Sequence, residues 1–245
     1  MADGASPTTP HFDAKLAQRS PLSAFALLAG GDAFEVMHGR PPPDGARRAA
    51  AYVDTRVRMH AHGASAARQL KVREDIIRML SGNGELVARM QSARPLDLEL
   101  IPKGKSLSSY GFPKGSSATA IGLFWDNPQW DRARIALRED QLDEVPQLTA
   151  HEFAHAIHFL GFTTEERALV HRALVRTFLS RAGVDEAFAI YSEREFISAF
   201  TEEDKRAPHV YGFARTRWSE DHVFTRFVRH LYFPYRPLAG PKMGG

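Results

Sequence analysis

The residues best suited to chemistry in this chain are His151, Glu152 and His155, in the run Thr149-Ala150-His151-Glu152-Phe153-Ala154-His155-Ala156-Ile157-His158. On a helix of about 3.6 residues per turn, side chains four apart share a face. The two imidazoles can therefore present nitrogens to one metal ion while Glu152 reaches a metal-bound water. Zinc held in this way makes its water acidic, and a neighbouring carboxylate takes the proton. The spacing predicts a hydrolase with Zn2+ as cofactor, His151 and His155 as ligands and Glu152 as general base. Catalytic zinc normally takes three protein ligands, so a third must come from elsewhere.

The chain has no cysteine, which leaves His, Asp and Glu as candidates. A three-histidine pattern needs Gly at 158 and His at 161, but His158 and Gly161 stand there. The third ligand is therefore expected to be acidic, and His158 reads as a surface or supporting residue. Two carboxylates compete. Glu195 lies in a stretch where Phe196, Ile197 and Phe200 make an apolar face, and its neighbours Ser198 and Ala199 are small enough to let another helix approach. Ser192 and Glu195 also have capping-box spacing, which accounts for the glutamate without any metal. Glu220 is flanked by bulky Val223 and Phe224 and reads as an N-terminal charge on a core helix.

His151-Glu152-Phe153-Ala154-His155, followed by a helix and then by Glu195-Phe196-Ile197-Ser198-Ala199-Phe200, resembles the gluzincins, glutamate-ligand zinc peptidases of the anthrax lethal factor type. The resemblance begins at the histidine motif and rests on these two short motifs. It implies a zincin fold and peptide-bond hydrolysis, and it carries the role of third metal ligand to Glu195. It also implies a tyrosine shortly before that ligand, hydrogen-bonded to the oxyanion. Phe188 occupies the matching position, so the role passes to Tyr191, with Tyr211 as the alternative.

Several elements must position these residues. Residues 1–45 are expected to form a mobile extension and linker ending in Pro41-Pro42-Pro43-Asp44-Gly45, with a short helix between Leu22 and Met37. Residues 46–245 then make one zincin-like catalytic domain. In 46–91, Leu70, Val72, Ile76, Ile77 and Leu80 recur at helical spacing up to a C-cap at Gly82, predicting two or three helices. Residues 96–100 alternate as a half-buried strand, and 118–125 and 134–138 read as two more strands. A metal helix running from Asp143 to Gly161 should follow. A helix from Thr163 or Thr164 toward Gly183 comes next, then one after Ser192 and one after Ser219. The expected fold is α+β: a zincin-like domain with a small mixed sheet and a metal-binding helix, preceded by a helical N-terminal region. The strand over 134–138 is the expected edge for an extended substrate.

Composition narrows the partners. The 32 Lys and Arg against 29 Asp and Glu give a net charge of +3 with no long basic run, which argues against nucleic acid. No window approaches the ~18 apolar residues of a membrane span. Met1 to Thr9 carry no Lys or Arg, unlike a standard secretory signal. The expectation is a protein or peptide substrate, no membrane partner, and a cytoplasmic location or export without a signal peptide. The alternative is a weakly active or inactive zincin-fold binding or regulatory protein. Oligomeric state leaves no mark in the sequence.

Overall fold

The computed structural model describes residues 24–28, 44–114, 120–175, 182–197 and 223–234. In order these form α1 (Phe25–Leu28), α2 (Gly45–Arg56), β1 (Val57–His60), α3 (Ala66–Ser81), α4 (Gly84–Ser92), β2 (Leu96–Ile101), β3 (Gly122–Trp125), β4 (Ala133–Arg138), α5 (Gln141–Glu144), α6 (Leu148–Ala156), α7 (Thr164–Val175), α8 (Ala182–Ile197) and α9 (Val223–Tyr232). The chain is mixed α/β, built around a four-stranded sheet of order β1-β2-β4-β3. β1 runs parallel to β2, β2 parallel to β4, and β3 antiparallel to β4.

β1 falls in the stretch expected to be wholly helical. Strand pairing outweighs the surrounding helical pattern: Val57 and Met59 pack on the main core, while Arg58 and His60 alternate to the other face. β2 also departs from the half-buried strand expected, because every residue in it is buried. Leu96, Leu98 and Leu100 enter the main core; Asp97 and Glu99 lie on the opposite face, enclosed by cations. Asp97 accepts from Arg58 Nη2 at 2.9 Å and Arg132 Nε at 2.5 Å, and Glu99 faces Arg134 at 2.8 Å and His62 at 2.6 Å. The leucines alone cover only one face; these pairs let the charges share burial on the other.

The sheet order moves the expected substrate edge. β4 has β2 on one side and β3 on the other, so the strand over 134–138 is interior and the edges are β1 and β3. On the helix-covered face, Ile135 and Leu137 belong to the same buried core as Tyr52 of α2, Val72, Ile76, Met79 and Leu80 of α3, and Phe153 of α6. Leu70, grouped with that stripe by spacing, points outward and is 52% exposed. Asn83 caps α4 by accepting from the N–H groups of Glu85 and Leu86, both at 3.1 Å, and its amide donates to Leu231 O of α9 at 2.7 Å.

The expected metal helix is divided. Val145 precedes Pro146, where the α conformation is disfavoured, and takes φ −127° and ψ 78°. α6 therefore begins only at Leu148, and after Ala156 the chain passes through a wider π turn, Ile157–Gly161. α7 opens on a capping box: Thr163 Oγ1 accepts from Glu166 N at 3.2 Å, and Glu166 Oε2 accepts from Thr163 N at 2.7 Å. α8 replaces two expected boundaries, since Gly183 lies in its first turn and Ser192 is internal, with Oγ donating to Phe188 O at 2.8 Å. Ser192 therefore caps nothing.

Most of 1–45 lies outside the described residues, but α1 is seated in the core. Phe25 meets Phe162 and Phe227 edge-on, each at 5.0 Å. No helix among the described residues is long and apolar enough to cross a membrane.

Glu166 has a second role, accepting from Arg89 Nη1 through both carboxylate oxygens at 2.9 and 2.7 Å, with both side chains buried. Truncation of one partner leaves the other charge buried and uncompensated. Arg89→Ala should destabilise the fold by about 3 kcal/mol in a urea titration, whereas Arg47→Ala, at an exposed pair, should move the midpoint little.

Candidate metal centre

α6 presents His151 and His155 one turn apart, with ring centroids separated by 5.2 Å. His151 is buried and His155 partly so. The carboxylate facing them is Glu186, in the second turn of α8. Its Oε1 lies 3.2 Å from His151 Nε2, and its Oε2 3.6 Å from His155 Nε2. One ligand atom from each residue lies within 4.8 Å of the other two, and no other such group occurs among the described residues.

These spacings suit a metal ion. Ligands held tetrahedrally at about 2.0 Å from zinc stand about 3.3 Å from one another. Glu186 Oε1 is buried and faces His151 Nε2 without well-formed hydrogen-bond geometry, an environment that a cation between them would complete. His151 is fixed from behind: its Nδ1 lies 2.8 Å from Glu193 Oε2. A carboxylate on one ring nitrogen selects the tautomer that turns the other nitrogen's lone pair toward a metal.

The helical period of α8 sorts its glutamates. Glu186 and Glu193 are seven residues apart, within about 20° of the same direction, and both face α6. Glu195, nine residues from Glu186, points about 180° away. It is buried, 1% exposed, and pairs with Arg229 of α9 at 3.1 Å. The third place beside the histidines is thus taken by Glu186, and the expected ligand Glu195 is brought instead to a guanidinium. Glu220 and Tyr211 lie outside the described residues. Tyr191 packs its ring edge-on against Phe224 of α9 at 4.9 Å, and Phe188 sits among His158, Phe162 and Phe224.

Glu152, buried on α6, reaches the edge strand. A Cβ on Gly122 would stand 2.5 Å from Glu152 Oε1 and 2.7 Å from its Cγ, so only glycine leaves room for this carboxylate. The Phe124 backbone N–H also bonds to it. His158, one turn past His155, lies 3.1 Å from Asp185 Oδ1 in the residue preceding Glu186, a supporting position.

The charges are strongly coupled. Burial opposes protonation of His151, but the carboxylates of Glu186 and Glu193 outweigh it and push its pKa up to about 10. Burial likewise opposes the charge on Glu186, yet His151 and His155 hold its carboxyl far below the usual range. Glu152 is shifted upward, chiefly by burial, against the pull of the two histidines.

Comparison of the chain with protein-family models, curated proteins and solved structures finds no match. The arrangement of the site therefore stands on its own geometry. The residues missed in the sequence are Glu186 and Glu193. The signal that could have found them was their spacing of seven, which puts two carboxylates on one helical face once α8 is extended back to Ala182.

Two outcomes follow for metal binding. Glu186→Ala should abolish stoichiometric zinc uptake by the purified protein, measured by atomic emission. Glu195→Ala should keep its zinc but lower stability by about 3 kcal/mol, because Arg229 loses its buried partner; zinc loss in Glu195→Ala alone would reverse the assignment. In the metal-free protein His151 holds a proton up to about pH 10, and that proton must leave before the ring binds metal. Zinc affinity, read by chelator competition, should therefore rise about tenfold per pH unit through neutral pH, with about one proton released per ion.

Proposed function

We propose that this chain is a zinc-dependent peptidase with a zincin-like domain, in which His151, His155 and Glu186 hold the metal. The reading is carried by one observation: His151 and His155, which meet Glu186 of α8, share α6 with a carboxylate, Glu152, seated in the glycine gap of an edge strand. Two nitrogens and an oxygen in tetrahedral spacing favour zinc over harder cations, which prefer all-oxygen sites. When bound, zinc would supply Lewis acidity to the scissile carbonyl and to a water.

The protein's residues do the remaining work. Glu152, raised above an ordinary carboxylate, is the general base that takes the water's proton and delivers it to the departing amine nitrogen. Glu193 holds His151 in its metal-facing tautomer. Arg138 N donates to Ile121 O across the β3–β4 pair, and antiparallel alternation then turns the main-chain groups of Gly122 and Phe124 outward. With the Phe124 N–H engaged by Glu152, an extended peptide adding to β3 is held by the other outward groups, the Gly122 N–H and C=O and the Phe124 C=O, beside Glu152. In this reading the substrate edge is β3, since β4 is interior to the sheet.

The test is hydrolysis of a mixed peptide library by zinc-loaded protein. Glu152→Gln should retain zinc and lose activity by about a thousandfold. Gly122→Ala, which pushes Glu152 out of its gap, should retain zinc and lose about a hundredfold. An unchanged rate in Glu152→Gln would remove that residue from the mechanism. Full zinc occupancy with no cleavage would favour a zincin-fold binding protein instead.

A further inference from the structure

Two stacked aromatic rings, Phe124 and Phe159, lie on the strand that Glu152 reaches and on the turn that follows α6. Phe159 lies four residues beyond His155, so the row His151, His155, Phe159 continues along one side of the helical segment. Large apolar side chains are mostly buried among the described residues, yet Phe159 is 37% exposed. Its ring stacks on Phe124 of β3 with centroids 5.5 Å apart and planes 21° from parallel. Phe124 in turn is two residues from Gly122, so gap and ring alternate onto the same face of the edge strand.

The pair is anchored on both sides. Phe124 is fixed by its backbone bond to Glu152. The turn that carries Phe159 is closed by Arg167, whose Nη1 donates to the carbonyls of Phe159 at 3.0 Å and Phe162 at 2.8 Å. His158 supports the Phe159 ring from within at 5.2 Å. An anchored, part-exposed aromatic platform offers a ligand apolar surface without an ordering cost.

We infer that Phe124 and Phe159 form a specificity subsite that accepts a large apolar side chain of a peptide lying along β3, next to the bond positioned at Glu152. This deepens the peptidase reading and rests on it for the peptide's identity as substrate. A side chain laid on the rings is desolvated with them, whereas a lysine there gives up hydration for no anion that either ring supplies. The subsite therefore discriminates by size and polarity.

The experiment uses zinc-loaded Glu152→Gln protein, which binds without turnover, and short blocked peptides in which each position in turn carries Ala, Leu, Phe or Lys. Affinities are read by calorimetry. One position should favour Phe and Leu over Ala and Lys by about tenfold. Adding Phe159→Ala should remove that preference while leaving zinc content and melting temperature unchanged, and Phe159→Leu should restore part of it. Absence of any apolar preference, or its persistence in Phe159→Ala, overturns the subsite. A Phe159-dependent preference without hydrolysis by the wild-type protein would support the subsite and defeat the peptidase reading. Hydrolysis with no apolar preference would do the reverse.

Discussion

The seam between α6 and α8 is the interaction on which the rest of the structure depends. α6 brings two imidazoles into it, and α8 brings Glu186 and Glu193. Buried charges of one sign would separate these helices; opposite charges at about 3 Å offset part of each other's desolvation. The same groups can trade a proton on His151 for a metal ion, so the seam is compatible with both states. Its cost is borne by the surrounding apolar packing, in which Phe153, Ala154 and Ile157 of the metal helix segment are fully buried.

The sheet contributes by what it omits. A side chain at Gly122 would occupy the space of Glu152, so strand and helix approach more closely there than two ordinary residues allow. Two residues on, the strand carries a ring in place of a gap. Edge position, glycine and aromatic ring thus coincide on one short strand. The π turn after α6 complements it by keeping Phe159 beside β3 instead of carrying the helix on into solvent.

The legible part of this chain was what depends on local periodicity. The histidine motif, the strands at 96–101, 122–125 and 133–138, and the helix start at Thr163 follow from spacing and capping chemistry. What escaped depends on partners far away in sequence. β1 is a strand because β2 is beside it; its four residues adjoin α2 with no turn between, so the helical pattern runs into it unbroken. Pro146 marks a boundary through which the helix expected from Asp143 to Gly161 ran unbroken. Glu195 sat in the motif-like stretch and Glu186 did not, yet the rotation of α8, fixed by packing against α6 and α9, decides which carboxylate meets the histidines. Motif chemistry names candidates; helix phase selects among them.

The bond from Asn83 to the Leu231 carbonyl joins residues 148 positions apart. A chain emerging from the ribosome displays both histidines well before α8 and α9 exist to complete their surroundings. Loops of this span close late, after local helices have formed. The half-made chain thus carries both histidines without Glu186 or Glu193, and the group of His151, His155 and Glu186 is complete only when α8 lies against α6.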